Sequence, residues 1–77
     1  MYRLIGDGIR WNKLVKVFEG NGWILDRISG DHLIYTKIGH IRPVVIPKVN
    51  AVQTFIILNN LKTAKISREE YLKMLKK

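Results

Sequence analysis

The sequence predicts a small α+β domain in which helices cover one face of a three-stranded antiparallel sheet. Two stretches carry apolar residues at helical spacing, and between them lie three short runs rich in branched and aromatic residues, separated by turn residues. The 77 residues are 47% hydrophobic and 26% charged, a globular balance with room for one domain and one modest core. With no cysteine in the chain, no disulfide reinforces that core, so stability rests on packing and a cytoplasmic setting fits.

Gly6, Asp7 and Gly8 break any regular element near the start. Trp11, Leu14, Val15 and Phe18 then follow i, i+3, i+4, i+7 spacing, which predicts an amphipathic helix over about residues 10–19, stopped by Gly20-Asn21-Gly22. Residues 23–28 and 32–37 read as the two strands of a hairpin, with Ser29-Gly30-Asp31 supplying the turn. A third strand is expected near residues 41–46, at an edge because Pro43 has no amide donor. Helical spacing returns over residues 51–62, where Ile56-Ile57-Leu58 spreads over more than one face: the helix is deeply buried or offers a contact surface. Ser67-Arg68-Glu69-Glu70 has capping-box form and opens a short last helix with Tyr71, Leu72 and Leu75 on one face. Three strands bury one face only when the helices lie together on it, leaving the opposite face for a partner.

Taking Ile38-Gly39 as a two-residue turn pairs Lys37 with His40, Tyr35 with Arg42, Leu33 with Val44 and His32 with Val45. Leu33, Tyr35, Val44 and Ile46 then form the core side, and His32 stands on the open face. A bulge or a longer turn would reverse this assignment.

Composition narrows function. Fourteen Lys and Arg against six Asp and Glu give a net charge of +8, a field that favours polyanions such as RNA. Apolar runs are too short to span a bilayer and the opening residues do not form a signal peptide, so neither a membrane nor an export route is expected. Two histidines and few, scattered acids leave no basis for a metal site or paired-carboxylate chemistry, no glycine-rich phosphate loop is present, and no cofactor is expected. Asp26 and Asp31 flank the turn, where they balance Arg27 or cap the turn.

His32 is the candidate catalytic residue. Attack of an RNA 2′-hydroxyl on its own phosphodiester needs a base that works near neutral pH, which histidine supplies without metal. A strand-end histidine can equally serve only to pack or to bond the turn. His40 falls at the other end of the hairpin and reads as a surface or phosphate-contacting residue. Arg27, Lys37, Arg42 and Lys48 lie on or beside the strands and are candidates to track an RNA backbone, against the plainer reading of solvated surface charge. Lys62, Lys65, Arg68, Lys73, Lys76 and Lys77 solubilise the C-terminal end and complement helix termini.

Gly22-Trp23, Ser29-Gly30-Asp31-His32-Leu33-Ile34-Tyr35, Arg42-Pro43-Val44-Val45-Ile46-Pro47 and Ile66-Ser67-Arg68-Glu69-Glu70-Tyr71-Leu72, in that order, resemble the HicA (YcfA-like) family over roughly residues 9–75. The resemblance implies a double-stranded-RNA-binding-domain-like fold and a toxin that cleaves mRNA, held inactive by a HicB-like antitoxin. It also implies that His32 is catalytic, as the histidine of the family's glycine-small-histidine motif. A homodimer stays open.

This chain departs from the pattern in three places. Asp31 stands where the family has a small residue, putting beside His32 a carboxylate that changes activity either through its effect on His32 or by repelling phosphate. Val49 replaces a histidine, and Phe55-Ile56-Ile57-Leu58 replaces a Gly-Thr-Leu-Arg-like helix opening. The apolar replacement marks Phe55, Ile56 and Ile57 as a protein-binding surface, or marks a member that binds RNA or a protein without cleaving.

Overall fold

A computed structural model describes residues 9–76; the readings made above for Gly6, Asp7, Gly8 and Lys77 lie outside them. The elements run α1 (Trp11–Glu19), β1 (Ile24–Ser29), β2 (His32–Thr36), β3 (Val44–Pro47), α2 (Thr54–Ala64) and α3 (Arg68–Leu75). The strands form one antiparallel sheet in the order β1-β2-β3. Leu33, Tyr35, Val44 and Ile46 from the sheet share a core with Leu14 and Phe18 of α1, Ile57 and Leu61 of α2 and Tyr71 of α3. This is the α+β two-layer sandwich of the double-stranded-RNA-binding-domain type, with α3 as an additional C-terminal helix.

Local chemistry accounts for the element boundaries. Leu14, Val17 and Phe18 are buried on one face of α1. Its end is held by a turn in which Gly22 takes φ +89°, open to glycine at little steric cost. Ser67 caps α3 by accepting a hydrogen bond from the Glu70 amide at 3.1 Å, the first half of the expected capping box. Buried Asn60 on α2 donates from Nδ2 to the Val45 carbonyl at 2.9 Å, which satisfies a polar group inside the packed layer and ties α2 to β3.

The third strand begins at Val44, later than expected, and the register differs. Tyr35 pairs with Val44, Ile34 with Val45, Leu33 with Ile46 and His32 with Pro47. A turn does close between Lys37 and His40, whose amide donates to the Lys37 carbonyl at 3.0 Å, but the chain then bends through Ile41 and Arg42. Pro43 has no N–H for the ladder, so pairing starts only after it. Each β2 residue is thereby paired two positions later on β3 than the two-residue turn predicts. Because side chains alternate with period two, a slip of two leaves every face assignment intact.

Candidate nucleic-acid interface

The β1–β2 hairpin positions His32. Gly30 takes φ +59° at the first position of the two-residue loop, where type II′ turns demand glycine. His32 follows as the first residue of β2, paired with Ser29 on one side and Pro47 on the other, and it is solvent-exposed. Period two places it on the open face with Ile34 and Thr36.

The end of β3 meets this hairpin. The Lys48 amide donates to the Asp31 carbonyl at 2.7 Å, so Lys48 lies alongside the residue preceding His32. Its Nζ sits 5.3 Å from the centre of the Trp11 ring, within cation–π range. Trp11 is fixed in turn by its amide, which donates to the Val49 carbonyl at 3.1 Å.

Arg27 pairs with Ile34 and is therefore a diagonal neighbour of His32 on the open face. Its guanidinium contacts Asp26 at 2.6 Å in an exposed pair, as the sequence suggested. Such surface pairs hold little net energy and exchange readily with other anions. Arg27 is thus a neighbour of His32 on the open face, whereas Lys48 approaches the hairpin through its backbone and turns its ammonium to Trp11 of α1.

Two other predicted RNA contacts are not part of this group. Lys37 is half-buried and donates from Nζ to the Asn21 carbonyl at 2.7 Å, so it clamps the turn after α1. Arg42 lies in the β2–β3 loop beside His40 and Lys65, lining a depression of about 230 Å³. The length of β2, roughly 13 Å, separates that loop from His32. His40 is not a free surface residue: it packs edge-on against Trp23 with centroids 4.9 Å apart, and its Nδ1 is buried. The apolar stretch of α2 divides as well. Phe55 is 61% exposed and available to a partner, Ile56 is half-buried against the core, and Ile57 at 0% exposure cannot reach one.

Cations that the sequence reading passed over stand near Trp11. Arg10, Lys13 and Lys16 line, with Ile9 and Asn12, an open depression of about 600 Å³ along α1. Their i, i+3, i+6 spacing, away from the Leu14–Val17–Phe18 face, is a legible basic stripe. Among the described residues no three His, Cys, Asp or Glu side chains converge as a metal site would need. No described helix is long and apolar enough to cross a membrane.

A family model described as HicA toxin of bacterial toxin-antitoxin matches residues 11–66. The chain belongs to the HicA toxin family. The HicA match runs from the start of α1 to the segment before α3 and so takes in Trp11, Arg27, His32 and Lys48. No curated protein and no solved structure gives a significant match. HicA family toxins pair with antitoxins.

Proposed function

We propose that this HicA family member is an endoribonuclease acting on mRNA, with His32 as its general acid or base and a HicB-like antitoxin as its inhibitor. The observation that carries the reading is the exposed imidazole of His32 on the open sheet face, with Lys48 beside the preceding residue and Arg27 diagonal to it. In this scheme Arg27 holds the phosphodiester while His32 takes the proton of the ribose 2′-hydroxyl, and Lys48, beside Trp11, holds the adjoining backbone. The freed oxygen attacks the adjacent phosphorus, the bond to the 5′ oxygen breaks, and that oxygen is protonated by solvent.

The test is incubation of end-labelled single-stranded RNA with the protein in EDTA, beside His32→Ala. Cleavage by the wild type alone supports the reading. Intact RNA with both proteins, together with a gel shift that His32→Ala leaves unchanged, would establish a silent RNA-binding member instead, an outcome to which the Asp31 carboxylate beside His32 would contribute.

A further inference from the structure

Among the described residues, β1 leaves one edge of the sheet open. The outer strand at the other side, β3, is protected: Pro43 precedes it, Pro47 ends it, and Asn60 donates to Val45. By contrast β1 bonds only to β2 among the described residues, and none of its six residues is buried. Leu25 and Ile28 turn toward the helix side, opposite Tyr35 and Leu33, yet remain 41% and 60% exposed, with no described helix covering them. An open edge with an uncovered apolar face is a template for another strand.

The bulge in β1 selects which strand fits. Ile24, opposite Thr36, and Ser29, opposite His32, lie on the open face, as does Arg27 opposite Ile34. The register shifts between Leu25 and Arg27, so Asp26 is the extra residue, and its carboxylate contacts the Arg27 guanidinium on that same side. From Ile24 to Ser29 the faces therefore run out, in, out, out, in, out, the same in both directions. When a strand pairs antiparallel with its own copy about a twofold axis perpendicular to the sheet, paired residues must share a face. A regular six-residue strand fails that condition when the axis falls between its third and fourth residues. The bulge makes β1 meet it.

We infer that β1 docks against β1 of a second copy of this chain, with the axis between Asp26 and Arg27, to give a continuous six-stranded sheet. Leu25 then faces Ile28 of the second copy, apolar against apolar, and Asp26 faces Arg27, acid against base, while Ile24 falls opposite Ser29 at the ends of the pairing. The four Leu25 and Ile28 side chains cover one another, and both His32 residues fall on one open face. Each copy carries a charge of +8, so salt screens their repulsion and strengthens this pairing, whereas it weakens binding to RNA.

The absence of native cysteine allows a register-specific test. Residues directly opposite have Cβ atoms about 4.5–5.5 Å apart, near disulfide reach, while residues three apart along a strand are too distant to bridge. Leu25→Cys mixed with Ile28→Cys should cross-link under mild oxidation at least tenfold faster than either variant alone. Sedimentation equilibrium of the nuclease-treated wild type should give a mass that doubles with concentration and more readily at high salt. Arg27→Asp should stay monomeric, and Asp26→Arg combined with Arg27→Asp should restore the dimer. A wild type that remains monomeric at all concentrations and salts, or cross-linking no faster in the mixture, would overturn the inference.

Discussion

Lys48 holds its ammonium 5.3 Å from the centre of the Trp11 ring, joining the end of β3 to the start of α1 next to the hairpin that carries His32. The pair combines a positive charge with an aromatic surface, the combination that single-stranded nucleic acid engages. Lys48→Ala should therefore weaken RNA binding and lower the dependence of log affinity on log salt by about 1. Arg42→Ala, at the far end of β2, should change that slope much less. Filter binding across a salt series distinguishes the two, and equal slopes would remove Lys48 from the interface.

Adjacent positions on α2 should answer differently to truncation. Ile57 is fully buried, so Ile57→Ala should cost about 2–5 kcal/mol in urea unfolding. Phe55→Ala should cost roughly 0.5 kcal/mol or less because its ring is mostly in solvent. If Phe55 is the docking residue for the antitoxin, the same substitution should weaken that complex at least tenfold by calorimetry while leaving the fold intact.

Lys65 ends α2 in the left-handed conformation at φ 58°, a position that glycine occupies without the steric penalty a side chain brings. Lys65→Gly should raise stability by about 0.5–1 kcal/mol, the relief of strain being offset in part by the greater freedom of glycine in the unfolded chain. Denaturant midpoints measure this directly, and a lower midpoint would contradict it.

Alkali should destabilise the fold through two buried tyrosines. Burial pushes the Tyr35 hydroxyl up to about 12, helped by its hydrogen bond to Glu19 at 3.0 Å and by the charge of that carboxylate. Burial alone raises Tyr71 to about 12. Both groups ionise near 10 when unfolded, so the native state holds these protons more tightly. The associated stability is complete below pH 10 and is lost as pH rises through 12. Thermal melts between pH 9 and 12 should show that decline, and Tyr35→Phe should make it shallower.

Much of this architecture was legible from periodicity and punctuation. The i, i+3, i+4, i+7 stripe of α1, the Ser29-Gly30-Asp31 turn and the Ser67 cap each depend on residues close together in the chain, where local sterics and hydrogen bonding decide the outcome. The β2–β3 loop was misread because Pro43 and the packing of His40 on Trp23 moved the start of β3, and that packing joins residues 17 apart in sequence. The face assignment survived only because the slip was even.

The sequence by itself determined the element order, the basic charge, the family pattern and the prominence of His32. Only the tertiary structure decided where the cations lie: Arg27 is a diagonal neighbour of His32, Lys48 carries its ammonium to Trp11, and Lys37 is bound to the Asn21 carbonyl. It also decided that Ile57 is core and Phe55 surface, and that β1 is an edge strand with a bulge at Asp26. The physical reason is that helix and turn formation are written in neighbouring residues. The availability of a side chain depends instead on what distant segments bring beside it.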